Sequence, residues 1–133
     1  MSSTISSILY ADDDPDDHYV FSRIVIDQFP FIRLILLHYC NDVIRYLADK
    51  DTILPDVIFL DLNMLGNEKY QCLIEIRNMP RSRHIPVVIY STSASAAVAN
   101  EAYALGAYKF ITKPFSYDDI TREIKKVITE LEK

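Results

Sequence analysis

Ile5-Ser6-Ser7-Ile8-Leu9-Tyr10-Ala11-Asp12-Asp13-Asp14-Pro15 decides the fold. A short apolar run passes directly into acid and then into a helix start. Asp14 is placed as an N-cap, with Pro15 at the first helical position. The same motif of apolar run followed by amphipathic stretch repeats along the chain. The runs are Ile5–Ala11, Ile32–Tyr39, Val57–Leu60, Val87–Tyr90 and Tyr108–Ile111. Most are too continuous for a strand with one wet face, which predicts strands buried on both sides of a parallel sheet. The helical stretches follow Pro15, then span Asn41–Ala48, Lys69–Asn78, Ser95–Leu105 and Tyr117–Leu131. Phe21, Ile24, Val25 and Phe29 mark the inner face of the first. Ile120, Ile124, Val127, Ile128 and Leu131 mark that of the last. Gly106 closes the fourth as a C-terminal cap. Five such units give a (βα)₅ α/β fold, a doubly wound five-stranded parallel sheet with helices on both faces.

Composition sets the outer bounds. A length of 133 residues predicts one domain, spanning 1–133. Apolar residues are 50% and charged residues 25%, enough for a globular core. The net charge of −5 argues against nucleic acid as a partner, because phosphate binding calls for excess Lys and Arg. Cys40 and Cys72 lack Cys-x-x-Cys spacing and read as buried reduced thiols. Met1–Ser7 lacks the basic and apolar regions of a signal peptide. No apolar run nears the roughly 20 residues that span a bilayer. The expectation is a soluble, cytoplasmic chain without membrane insertion. Gly66 and Gly106 are the two glycines, too few for a Gly-rich phosphate loop.

In a sheet of this kind ligands bind outside the carboxyl ends of the strands. The first strand ends in Asp12 and Asp13, the third in Asp61, the fourth in Ser91 and Thr92. The fifth runs into Thr112, Lys113 and Pro114. Two carboxylates about 5 Å apart repel by roughly 3 kcal/mol at an effective dielectric near 20. Three together shift their protonation or hold a cation. An all-oxygen set with water suits Mg²⁺ and a phosphate co-ligand. Asp beside a lysine then suits phosphoryl transfer through an acyl phosphate, with Lys113 and Ser91 stabilising the moving group. Asp14, Asp16 and Asp17 read differently, as first-turn acids that cap N–H groups and favour the helix dipole. His18, His38 and His84 lack metal-ligand spacing and read as surface or packing residues.

Four segments together resemble the receiver domain of two-component response regulators, of the stand-alone, chemotaxis-regulator-like type. They are Ile8–Pro15, Val57–Met64, Ile85–Ser91 and Lys113-Pro114-Phe115. The resemblance implies a flavodoxin-like strand order 2-1-3-4-5. It implies Asp61 as phosphoacceptor, taking a phosphoryl group from a histidine kinase or a histidine phosphotransfer protein. It further implies Mg²⁺, with Mn²⁺ as a substitute, held by Asp12, Asp13, Asp61 and the Asn63 carbonyl. Ser91 and Lys113 match the positions that engage the phosphoryl group. Ser91 and Phe110 match a switch pair, and a cis peptide is implied before Pro114. The domain is a signalling module rather than an enzyme, acting as a monomer or weak dimer on a downstream protein whose identity is open. With the chain ending at Lys133, no output domain is expected. Tyr103, Tyr108 and Tyr117 are expected on the partner-facing surface of the fourth helix, fifth strand and fifth helix.

Departures from the family pattern lie after Asp61. Leu65 replaces a proline, and Glu68 and Lys69 replace an Asp-Gly pair, which changes the loop before the third helix. Thr92 and Ser93 stand where the family tunes phosphoryl lifetime. Three other readings compete. A haloacid-dehalogenase-like Mg²⁺ phosphatase needs a second Asp two residues after the nucleophile, where this chain has Asn63. A flavodoxin-like cofactor binder needs a Gly- and hydroxyl-rich loop where this chain has Asp12–Asp14. A receiver-like module that works without phosphorylation would not need all five site positions filled.

Overall fold

A computed structural model describes residues 4–64, 68–92 and 95–132. The elements are β1 (Ser7–Ala11), α1 (Pro15–Gln28), β2 (Arg33–Leu37), α2 (Cys40–Ala48) and β3 (Val57–Leu60). They continue as α3 (Gln71–Asn78), β4 (Val87–Ser91), α4 (Ala96–Ala104), β5 (Lys109–Thr112) and α5 (Tyr117–Leu131). The five strands are parallel in the order β2-β1-β3-β4-β5.

The period-2 alternation of the strands divides the core in two. Leu9, Ala11, Ile58, Leu60, Val87 and Ile89 face one side, packing on Val43, Leu47, Leu73, Ile76 and Ala102 of α2, α3 and α4. Ile8, Tyr10, Val57, Phe59, Val88 and Tyr90 face the other, packing on Phe21, Ile24, Ile124 and Val127 of α1 and α5. The central strands β1, β3 and β4 are buried throughout, so their sequences show no polar face. β2 is an edge strand, as the order 2-1-3-4-5 implies, with Arg33 and Leu36 exposed; it is shorter than the apolar run that predicts it. Tyr39, the end of that run, is instead the N-cap of α2.

Helix ends follow local chemistry. Asp14 caps α1, accepting from the Asp16 N–H at 2.9 Å, with Pro15 next. Ser95 and Ser116 cap α4 and α5 in the same way. At the end of α4, Gly106 N–H donates to the Tyr103 carbonyl and Ala107 N–H to the Ala102 carbonyl. That pair of bonds is a Schellman cap, and Gly106 takes the positive φ of 102° it requires. α3 begins at Gln71 rather than Lys69, with Tyr70 at its N-cap making no side-chain capping bond. Cys40 and Cys72 are buried free thiols at the α2–α3 contact. Hydrogen bonding to Cys40, together with burial, pushes the Cys72 thiol above its ordinary range. Among the described residues no helix is long and apolar enough to cross a membrane.

Candidate functional site

The sheet ladders continue one step past the strand ends and thereby fix the site. Asp12 N–H donates to the Leu37 carbonyl at 3.2 Å, and Asp61 N–H to the Ala11 carbonyl at 3.0 Å. Lys113 N–H donates to the Ser91 carbonyl at 2.9 Å. Asp12, Asp61 and Lys113 are therefore each the first residue after a strand, with Ser91 the last residue of β4, all at one carboxyl edge.

Asp12, Asp13 and Asp61 each offer a carboxylate oxygen within 4.8 Å of the others. Asp12 and Asp61 are buried, while Asp13 is half-buried. Lys113 Nζ donates to Asp12 Oδ2 at 2.7 Å, to Asp61 Oδ2 at 2.9 Å and to Asp17 Oδ2 at 2.7 Å. The Tyr10 hydroxyl donates to Asp12 Oδ2 at 2.6 Å, and the Asp14 N–H to Asp12 Oδ1 at 3.0 Å. Asn63 N–H donates to Asp61 Oδ1 at 2.9 Å. The Asn63 side-chain amide donates to the buried Ser91 hydroxyl oxygen at 3.2 Å, linking the third and fourth strand ends.

The two buried acids are driven apart. Burial raises Asp12, but the hydrogen bonds from Lys113, Tyr10 and Asp14 outweigh it and hold the carboxyl below the ordinary range. Burial dominates at Asp61, and the Asp12 charge adds to it, so Asp61 lies above that range despite Asn63 and Lys113. Burial alone would lower Lys113, yet its three carboxylate partners raise it. Burial and the neighbouring Asp12 push the Tyr10 hydroxyl up, so it stays a donor.

Sequence reasoning missed two of these partners and misplaced some features. Asp17 is more than a first-turn acid, because it reaches across to Lys113. Tyr10 orients Asp12, and the shared face of residues two apart on a strand was the signal for it. His18 is a packing residue, as expected. It is buried, stacks on His38 with ring centroids 4.2 Å apart, and its ring bonds the Asp12 carbonyl. Phe110 is half-buried against the α4 side of the core, and its N–H donates to the Tyr103 hydroxyl at 3.0 Å. Tyr103, Tyr108 and Tyr117 are all exposed, and the first two bond within the α4–β5–α5 surface. The Tyr117 hydroxyl turns to Asp27 and Gln28 of α1. The Tyr108 hydroxyl bonds Glu130. The Lys113–Pro114 peptide is trans, correcting the expected cis form and following the general trans preference. Lys69 sits 5.9 Å from the Tyr70 ring centroid. Leu65, Gly66 and Ser93 lie outside the described residues.

This strand order, with an acidic cluster and a lysine at its carboxyl edge, defines a flavodoxin-like α/β domain with an acidic pocket. The description "Response regulator receiver domain" matches residues 8–125. The chain is 31% identical to the glycerol metabolism activator of Pseudomonas putida over 121 residues, 91% of this chain and 53% of that protein. It is 26% identical to the DNA-binding transcriptional regulator NtrC of Proteus hauseri, over 92% of this chain and 24% of that protein. In structure it resembles the phosphorylated cyanobacterial phytochrome response regulator RcpA (TM-score 0.84, 22% identity, 97% and 94% of the two chains). It also resembles the Mn²⁺-bound form of response regulator Rcp1 (TM-score 0.82, 23% identity, 96% and 95%). At these identities the two structures speak to the fold alone. The chain belongs to the response regulator receiver domain family. It spans about half the length, or less, of the curated relatives named here. Members are signalling domains of two-component systems, generally not enzymes, and bind Mg²⁺ or Mn²⁺ at an acidic pocket.

Proposed function

We propose that this chain accepts a phosphoryl group on Asp61 from a phosphohistidine donor and thereby changes its binding to a partner protein. The observation that carries this reading is the convergence of Asp12, Asp13, Asp61 and Lys113 at one sheet edge. Asp12, Asp13 and Asp61, with the Asn63 carbonyl, would hold Mg²⁺ or Mn²⁺. Their all-oxygen donor set fits such hard cations. The ion supplies charge neutralisation on the phosphoryl oxygens. An Asp61 carboxylate oxygen attacks phosphorus, the P–N bond breaks, and its electron pair returns to the imidazole of the donor. Lys113 donates to a phosphoryl oxygen, and the Ser91 hydroxyl turns from Asn63 toward the same group. Phe110, one strand over from Ser91, carries the change to the α4 side, where Tyr103 bonds its backbone.

The test is transfer from a purified, labelled histidine kinase or phosphotransfer protein. Label moves to the wild-type chain and not to Asp61→Asn. Sustained hydrolysis of phosphate esters without transfer would favour the phosphatase reading instead. A bound cation, the histidine donor and the downstream protein are parts of this proposal. NtrC of Proteus hauseri is a DNA-binding regulator of which this chain matches 24%, and the net charge of −5 argues against nucleic acid as a partner of this chain.

A further inference from the structure

An ammonium group has three N–H donors. On Lys113 all three have a carboxylate partner: Asp12 at 2.7 Å, Asp17 at 2.7 Å and Asp61 at 2.9 Å. The three acids differ in what else they are asked to do. Asp12 and Asp61 belong to the cation ligands proposed above, and Asp61 is also the proposed acceptor. Asp17 belongs to neither set. It stands in the first turn of α1, and its side chain is 35% exposed, against 0% for Asp12 and 7% for Asp61. The cap at Asp14 and Pro15 fixes that turn, so Asp17 is delivered to Lys113 by a rigid element. Its neighbour Asp16 supplies the same formal charge to the same turn without a bond to the lysine.

We propose that Asp17 is a positioning residue for Lys113: it is the one partner of the ammonium group that neither a bound cation nor a phosphoryl group competes for. It draws the lysine's charge off Asp12 and Asp61 and keeps one N–H bond fixed while the others are exchanged. Without Asp17, the ammonium group falls wholly on Asp12 and Asp61, where it opposes a cation directly. The inference rests on the function proposed above for its meaning, but the cation measurement needs no phosphorylation.

The test is a double-mutant cycle read by calorimetric titration of Mg²⁺ into the full chain. Asp17→Asn is expected to weaken Mg²⁺ about threefold to tenfold, within the usual coupling of contacting charges. Asp16→Asn, equal in charge change, shifts it less than about twofold, as a screened exposed charge does. In a Lys113→Met background the Asp17→Asn effect falls to that of Asp16→Asn. Asp17→Glu, which retains the carboxylate, restores most of the affinity. With Mg²⁺ saturating, Asp17→Asn also slows phosphorylation by a small-molecule acyl phosphate more than Asp16→Asn does. Equal effects of Asp17→Asn and Asp16→Asn, or an Asp17→Asn effect that is the same with and without Lys113, overturn the proposal. A wild-type chain that takes no phosphoryl group overturns the proposed function, while the titration still decides the role of Asp17.

Discussion

Asp12 and Asp61 are the same residue type at equivalent strand ends, yet their surroundings push them in opposite directions. Asp12 is held low, so its ionised form adds stability above the ordinary carboxylate range and loses it as pH falls below that range. Asp61 is held high, so its ionised form costs stability once pH rises through its folded value. In chelator at neutral pH, Asp12→Asn is expected to lose about 1.5–3 kcal/mol, the scale of hydrogen bonds to a charged group. Asp61→Asn should instead melt a few degrees higher than wild type. Both differences should shrink toward acid pH, and thermal melts across the range check the two signs together. Asp12, Asp13, Asp61 and Lys113 were legible because acid and base after a buried apolar run have no solvated-face explanation. Asp17 was not, since a first-turn acid satisfies the helix by itself and its partner lies 96 residues away. Tyr10 was hidden because its ring alone accounts for its place in an apolar strand; only its hydroxyl reaches Asp12.

At the scale of elements, buried strands and capped helices were the readable features. β3 and α5 have the expected bounds because their limits coincide with sharp changes in polarity and a serine cap. β2 is shorter than its apolar run because the end of that run leaves the sheet and Tyr39 becomes the N-cap of α2, a change that hydropathy alone does not mark. The α4 terminus gives the clearest mutational prediction. A Cβ at Gly106 would meet Arg77 Cδ at 2.9 Å, and the backbone there has φ of 102°. Gly106→Ala should therefore cost about 1–3 kcal/mol, chiefly from the left-handed conformation. Denaturant melts with an unchanged slope would show the loss as stability alone. The carboxyl edge that holds Asp61 lies at the other end of the strands from this cap, so Mg²⁺ affinity should stay near wild type.

For the whole molecule, a hard cation bound only by the folded chain must raise stability by mass action. At a hundredfold excess over the dissociation constant the gain is about 2.7 kcal/mol. Mg²⁺ should thus raise Tm in wild type, and Asp12→Asn or Asp13→Asn should remove most of that rise. Ca²⁺, larger and less demanding in geometry, tests selectivity in the same melt. The order of the strands brings together residues from Asp12 to Lys113, so the site exists only when β1, β3, β4 and β5 are paired. We propose that this assembled edge turns Asp61 into a phosphoacceptor. Its most direct test is intact-mass measurement after incubation with acetyl phosphate and Mg²⁺. A single phosphoryl adduct is expected, removed by hydroxylamine and absent both in Asp61→Asn and in chelator. An adduct that persists in Asp61→Asn, or no adduct with any acyl phosphate or phosphohistidine donor, would contradict it.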